Sequence, residues 1–261
     1  MPRRCEARVA AVTGGSRGIG RAIAEAMLAE GASIAICGRS PDKGKAALEE
    51  MGAGDRGYFA ACDVRQRDEV EEFIDATAAH FGALDILVNN AGGTDGFARV
   101  HELTDQAWDN ALAWNLNSTF WATRRALPYM LRSRWGRIIA ISSVEGKQAT
   151  KSAVSHYITN KHAINGFVKA VAYEYGPDGI TSNAICPGAI ETDTMRDAGA
   201  AAASAAGISY QTFLDRYAEE SMIKRLIAAE EVAAMAVLLA SDAGAGITGA
   251  LLNVDGGSSS W

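Results

Sequence analysis

The run Arg8-Val9-Ala10-Ala11-Val12-Thr13 followed by Gly14-Gly15-Ser16-Arg17-Gly18-Ile19-Gly20 constrains the fold more than any other stretch of this chain. A short β-forming run meets a glycine-rich turn, and behind it Ile19, Ile23, Ala26, Met27 and Glu30 recur at helical spacing up to a stop at Gly31. Glycines let the backbone turn sharply and come close to an anion, while the start of the helix offers unpaired N–H groups and a positive dipole end. A second apolar run, Ser33–Cys37, completes a β-α-β unit. Parallel strands joined through helices must be covered on both faces, so this opening predicts a doubly wound α/β sheet. The spacing T-G-x-x-x-G-x-G differs from the commoner G-x-G-x-x-G, and taken alone it also suits a purely structural tight turn.

The alternation continues along the chain. Helical patterns at Pro41–Met51 and Gln66–Phe81 flank a strand-like Gly57–Cys62, with Asp63-Val64 directly after it. Leu84–Val88 reads as a fourth strand ending in Asn89-Asn90-Ala91-Gly92-Gly93, at the edge where open α/β sheets bind ligands. Thr104–Leu131 reads as one long helix whose apolar face is interrupted by Asn115, an amide that needs partners. Arg137–Ile141 is a fifth strand ending at Ser142-Ser143, Ile180–Ile185 a sixth, Glu231–Ala240 a helix and Ala250–Val254 the last strand. Residues 195–227 break the alternation, with an Ala/Gly/Ser run from Ala198 to Gly207 and then Tyr210, Phe213, Leu214 and Tyr217 at helical spacing. An excursion at the ligand edge suits either a substrate lid, at about 189–227, or a plain surface hairpin. No repeat, linker or second-domain boundary interrupts the pattern, so residues 1–261 are expected to form one domain.

Charge bears on ligands. Where a β-α-β unit that binds NAD usually carries an acid for the ribose hydroxyls, Gly38 is followed by Arg39 and Ser40. A carboxylate repels a 2′-phosphate and a guanidinium pairs with it, so Arg39, helped by Arg17, favours NADP(H) and leaves NAD(H) as the alternative. The net charge of −6 disfavours nucleic-acid binding, no apolar run reaches a membrane span, and no apolar stretch follows Arg3, Arg4 and Arg8 as in a signal peptide. A cytoplasmic, soluble protein is expected. Cys5, Cys37, Cys62 and Cys186 lack Cys-x-x-Cys spacing, and the four histidines lack ligand spacing, so buried free thiols and no metal site are expected.

In Ser155-His156-Tyr157-Ile158-Thr159-Asn160-Lys161, Tyr157 and Lys161 share one face of a helix. A fixed cation beside a phenol favours the phenolate, so the pair is expected to lower the phenol's pKa and make it a proton exchanger.

These pieces together resemble the short-chain dehydrogenase/reductase family over essentially the whole chain: Thr13-Gly14-x-x-x-Gly18-Ile19-Gly20, Asp63-Val64, Asn89-Asn90-Ala91-Gly92, Asn115, Ser143, Tyr157-x-x-x-Lys161, Pro187-Gly188 and Asp255-Gly256-Gly257. The resemblance implies seven parallel strands in the order 3-2-1-4-5-6-7 and a catalytic set of Asn115, Ser143, Tyr157 and Lys161. Tyr157 would exchange the proton with a ketone or alcohol oxygen, Lys161 would lower its pKa and hold the nicotinamide ribose, Ser143 would hold the carbonyl oxygen, and Asn115 would position a relay water. Gly14, Ser16, Arg17, Gly18, Ile19, Gly20, Arg39, Ser40, Asp63, Val64, Asn90, Ala91, Gly92, Pro187, Gly188, Ile190 and Thr192 would line the cofactor site with Tyr157 and Lys161. Of these, Asn90 would lie near the adenine-side ribose and backbone. Thr94, Glu145, Met195, Tyr210, Phe213 and Tyr217 would face the substrate, and a homotetramer is implied.

Within the family, Gly146-Lys147-Gln148 and the run from Lys161 to Gly188 resemble polyketide ketoreductases and 3-hydroxybutyrate dehydrogenases, and 3-oxoacyl carrier-protein reductases are also similar. The hydroxybutyrate enzymes grip a small carboxylate and carry histidine where this chain has Glu145 and glutamine where it has Thr94. The expectation is therefore an NADP(H)-dependent enzyme for a secondary alcohol and its ketone, with a 3-oxoacyl, polyketide, alicyclic or steroid-like substrate. The alternatives are an NAD-dependent hydroxy-acid dehydrogenase and a catalytically silent cofactor-sensing scaffold. Fourteen positions separate Ser143 from Tyr157, one more than the family usually has, which marks the loop Lys147–Ser155.

Overall fold

A computed structural model describes residues 3–259. Its first half alternates β1 (Val9–Thr13), α1 (Gly18–Ala29), β2 (Ser33–Gly38), α2 (Pro41–Glu50), β3 (Gly57–Ala61), α3 (Arg67–Phe81) and β4 (Ile86–Asn89). Then follow α4 (Asp105–Ala111), α5 (Ser118–Ser133), β5 (Gly136–Ile141), α6 (Ser155–Tyr175) and β6 (Ile180–Pro187). The chain closes with α7 (Asp193–Ala205), α8 (Tyr210–Glu220), α9 (Ala229–Ala240) and β7 (Leu251–Val254). Among the described residues seven strands form one parallel sheet in the order β3-β2-β1-β4-β5-β6-β7, as the family resemblance implies.

Side chains alternate across a strand, and the two cores follow that period. Ala10, Val12, Ile34, Ile36, Ile86 and Val88 pack with Ile23 and Met27 of α1 and Val232 and Ala236 of α9. Their neighbours Ala11, Ala35, Cys37 and Leu87 face Val70, Phe73 and Ile74 of α3 and Ala122, Ala126 and Met130 of α5. Both faces are thus covered, which is why the central strands read as continuous apolar runs. The order reverses between β1 and β4, so the loops after those strands part there and leave a crevice.

One element departs from the expected pattern. The single helix expected over Thr104–Leu131 is divided by a wider π-type turn over Leu112–Asn117, centred on Asn115. The Ala/Gly/Ser run that follows β6 forms α7, which lies against α8 as a helical hairpin: a side-chain carbon on Gly199 would come within 2.7 Å of Phe213 and 3.1 Å of Tyr210. No helix among the described residues is long and apolar enough to cross a membrane.

Candidate active site

A cleft of about 560 Å³ follows the C-terminal edge of the sheet. At one end, the turn Gly14–Gly20 delivers the chain into α1. Arg17 caps that helix without a side-chain hydrogen bond and no acid occupies its first turn, so its N–H groups and dipole face the cleft uncompensated. The turn is held from across the switch point: Asn90 Nδ2 donates to the carbonyls of Thr13 (2.8 Å) and Gly14 (3.2 Å), and Thr13 Oγ1 accepts from Asn90 N and Ala91 N. Gly20 makes that approach possible, since a side-chain carbon there would lie 2.3 Å from Asn90 Nδ2. The Asn90 amide thus builds the turn while lining the cleft.

Beyond the turn, Arg17, Arg39 and Lys43 line the cleft and form no ion pair among the described residues. Asp63, an acid lining the same cleft, is claimed by Arg65, with Nε to Oδ1 at 2.9 Å and Nη2 to Oδ2 at 2.5 Å. That hydrogen bond, reinforced by the charges of Arg65 and Arg39, holds the Asp63 carboxyl below its ordinary value. Helix N–H groups with three unpaired cations and a neutralised acid suit a diphosphate with a further phosphate nearby.

The other end is formed by the ends of β4 and β5 and the first turns of α6. Ser143, Tyr157 and Lys161 line it together. Lys161 is buried, and Nζ donates to the Ile141 carbonyl at 2.8 Å while standing 5.5 Å from the centre of the Tyr157 ring. Burial pulls its ammonium down to about 8. The Tyr157 phenol lies above its ordinary value: burial pushes it up, a hydrogen bond with the Ser143 hydroxyl pulls it down, and the nearby charge of Glu145 pushes it up again. This reverses the depression expected from the Tyr157–Lys161 spacing. The ammonium is committed to a backbone carbonyl, and loss of hydration outweighs what it offers the phenol.

Asn115 is fully buried and works as a clamp. Its amide donates to the carbonyls of Gly93 (2.8 Å) and Ala111 (2.9 Å), and its Oδ1 accepts from Gly93 N at 3.1 Å. The side chain fills the hydrogen bonding that the π-type turn loosens and ties the loop after β4 to α4 and α5. Thr94 lies in that loop, with Oγ1 2.7 Å from His156 Nε2, which is also 2.7 Å from the Asp95 carbonyl. A carbonyl only accepts, so His156 Nε2 is the donor in that contact.

All nineteen residues expected at the cofactor line this one cleft, with Ser143 and Thr94. Asn115 stands just behind it. Glu145, Met195, Tyr210, Phe213 and Tyr217 do not line it. Glu145 is buried and both its oxygens accept from Thr150, Oε2 from the backbone N–H at 3.0 Å and Oε1 from the hydroxyl. Met195 N donates to Thr192 Oγ1 in the first turn of α7. The aromatic residues run along α8: Tyr210 OH donates to Glu191, Phe213 lies between the two tyrosines, and Tyr217 lies under Lys151, which also pairs with Glu220 at 2.5 Å. The sequence reading missed Lys43, one helical turn beyond Arg39, and the aromatic wall of Phe97 and Trp114. Helical spacing from Arg39 could have found the first. Trp114 becomes legible only once Gly93, which leaves room for its ring, is placed beside it.

The loop Lys147–Ser155 is fastened at several points: Lys147 Nζ donates to Asn253 Oδ1 at 2.9 Å, Ala98 N donates to the Ala153 carbonyl at 3.1 Å, and Ala153 itself takes the left-handed region at φ 62°. Among the described residues all four thiols are free and buried, and no cluster with metal-ligand spacing is present.

A family model described as enoyl-(acyl carrier protein) reductase matches residues 14–259. The chain is 37% identical over 252 residues to a D-beta-hydroxybutyrate dehydrogenase of Cupriavidus necator, covering 96% of this chain and 97% of that one. It is 36% identical over 265 residues to a 3beta-hydroxysteroid dehydrogenase of Mediterraneibacter gnavus, covering 97% and 95%. A crystal structure of a variant actinorhodin polyketide ketoreductase with NADPH superposes with a TM-score of 0.92 at 35% identity, covering 97% of this chain and 98% of that one. With its strand order, its cleft and nearly its whole length in agreement, this chain belongs to the short-chain dehydrogenase/reductase family of oxidoreductases acting on alcohol and carbonyl groups.

Proposed function

We propose that this protein is an NADP(H)-dependent carbonyl reductase for a neutral ketone with apolar bulk, of the 3-oxoacyl, polyketide, alicyclic or steroid-like kind. The observation that carries the reading is a single cleft with Ser143, Tyr157 and Lys161 at one end and the unpaired cations Arg17, Arg39 and Lys43 at the other. The α1 N-terminus would hold the diphosphate, the three cations the 2′-phosphate, and Ile190 and Thr192 the nicotinamide amide. When bound, the cofactor supplies or accepts the hydride.

The remaining steps fall to the chain's own groups. A raised phenol stays protonated at neutral pH, so Tyr157 is ready to give its proton to a carbonyl oxygen as negative charge develops there. Ser143 Oγ accepts the Glu145 N–H at 3.1 Å, which leaves its own proton to donate to that oxygen. Lys161 places a cation beneath the phenol and steadies the phenolate as the proton departs. Asn115 fixes the loop after β4 that forms the facing wall, and Phe97 and Trp114 give that wall its apolar, aromatic character. Residues 189–227, with α8 reaching Lys151, would serve as the lid over the substrate.

The similarity to a D-beta-hydroxybutyrate dehydrogenase favours a second reading, an NAD-dependent hydroxy-acid dehydrogenase. The free cations near Arg39 and the carboxylate of Glu145 weigh against it. Exposed Trp108, Phe120 and Tyr173 on α4, α5 and α6 support a homotetramer paired through those helices, and we assign the protein to the cytoplasm. The test is a panel of neutral ketones and 3-oxo acids assayed with NADPH and NADH, with Tyr157→Phe as control. Turnover of neutral ketones with NADPH that depends on Tyr157 is expected. Turnover confined to 3-oxo acids with NADH would select the second reading, and no turnover with either cofactor would favour a silent scaffold.

A further inference from the structure

Glu145 is the least expected charge in the molecule. It lies two residues after Ser143, is 6% exposed, and meets only neutral donors: the Thr150 N–H and the Thr150 hydroxyl. Both oxygens accept, as those of an ionised carboxylate do. No arginine, lysine or histidine pairs with it among the described residues, and Lys147, the nearest cation in sequence, is committed to Asn253. A buried carboxylate without a cation is a fixed source of negative potential, and low dielectric surroundings weaken its field little. Its backbone is equally tied to the reaction end, since Glu145 N donates to Ser143 Oγ at 3.1 Å and so leaves the hydroxyl proton of Ser143 to point elsewhere.

We propose that Glu145 is a positioning residue for the reaction end: its N–H binds Ser143 Oγ so that the hydroxyl proton faces the reacting oxygen, and its carboxylate, buried two residues from Ser143 without a cation, sets the charge under which Tyr157 works. The site is thereby biased towards giving a proton to a carbonyl, and alcohol oxidation, which needs the phenolate, is pushed to alkaline conditions. The groups facing Tyr157 are Ser143 and Glu145 from the turn after β5, Lys161 from its own helix and Cys186 from β6. Ser143 pulls the phenol down, while Glu145 and Cys186 push it up in addition to burial. Asp95, on the loop opposite, acts on Arg65. Of these groups Glu145 is the one whose charge can be removed with its shape kept and without touching Ser143, Tyr157 or Lys161.

The inference rests on Tyr157 being the proton donor of the proposed function, but its test needs no substrate. The phenol is titrated by the ultraviolet difference absorbance of tyrosinate in the full chain, with Tyr157→Phe subtracted to isolate that one residue. Glu145→Gln should move the Tyr157 titration to lower pH by about half a unit, equivalent to about threefold more phenolate at a fixed alkaline pH. Glu145→Asp and Thr150→Val keep the charge and should leave the phenol high, although both loosen the loop. If Glu145→Gln folds poorly, Glu145→Met provides a second neutral side chain. An unmoved titration in the neutral variants overturns the proposal, as does an equal shift in Thr150→Val, which would make the effect one of loop structure. Failure of the proposed function would register separately, as turnover that survives Tyr157→Phe.

Discussion

At the glycine-turn end of the cleft the geometry is set by backbone, whereas at the reaction end it is set by side chains. Asn90 grips two main-chain carbonyls, α1 points bare N–H groups, and Arg17, Arg39 and Lys43 line the space without an ion pair among the described residues. At the other end Lys161, Asn115 and Glu145 are buried, and each is tied to a specific partner, Glu145 to the exposed Thr150. The first design tolerates many sequences, because glycines at a few positions and a helix start suffice. The second is particular to this chain, because its electrostatics depend on which groups are dry and which are satisfied. The glycine-turn end should therefore answer to loss of charge, and the reaction end to changes in protonation.

The largest expected effect is at the reaction end. Tyr157→Phe should lower kcat for ketone reduction by about 10²–10⁴, the usual range for a lost general acid, while leaving NADPH affinity within about twofold by fluorescence titration. At the other end the pattern should invert. Arg39→Ala should raise the Kd for NADPH by about 10- to 100-fold, the worth of a charge-assisted hydrogen bond, and leave that for NADH nearly unchanged. Equal losses for both cofactors would remove the distinction between the two ends.

A smaller effect tests what burial does to Lys161. Its pKa falls from 10.5 to about 8 on folding, so folding disfavours the charged form. Below pH 8 the fold carries a penalty of about 3 kcal/mol, and stability should rise between about pH 8 and 10.5, where only the unfolded chain stays protonated. Lys161→Met should abolish turnover yet raise Tm at neutral pH by a few degrees, after allowing about 1–2 kcal/mol for the Ile141 carbonyl that loses its donor. It should also flatten the alkaline rise, and a lower Tm at neutral pH would show that the hydrogen bond outweighs the desolvation. Smallest of all, Lys151→Met should change stability by less than about 1 kcal/mol, because its pair with Glu220 is half exposed. Hydrogen exchange should nevertheless quicken together in residues 147–154 and 210–220, and quickening in only one of them would show that they move apart.

The sheet was legible because both its faces are covered and its strands are short apolar runs between helices of regular period. The division of the helix at Asn115 was not legible. Helical spacing continues across Leu112–Asn117, and only the Gly93 backbone, distant in sequence, explains why the turn widens there. At the site, glycine and strand-end signals located the cleft, since such signals are local. The direction of the Tyr157 shift was missed because it depends on burial and on where the Lys161 proton donors go, neither of which a four-residue spacing contains. The aromatics of α8 were read towards the substrate from their spacing alone. Tyr210 and Phe213 fit against Gly199 of α7, a contact that an Ala/Gly/Ser run permits but does not announce.

The fastening of Lys151 to α8 bears on how such a protein could be re-engineered. The loop after Ser143 ends its reach on Tyr217 and Glu220, and its Ala153 carbonyl receives Ala98 of the opposite wall. Transplanting residues 147–154 alone into a relative would part Lys151 from the ring and the acid it meets here. The transferable module is the loop together with α8, and a chimera that exchanges both should keep its selectivity where a loop-only graft loses it.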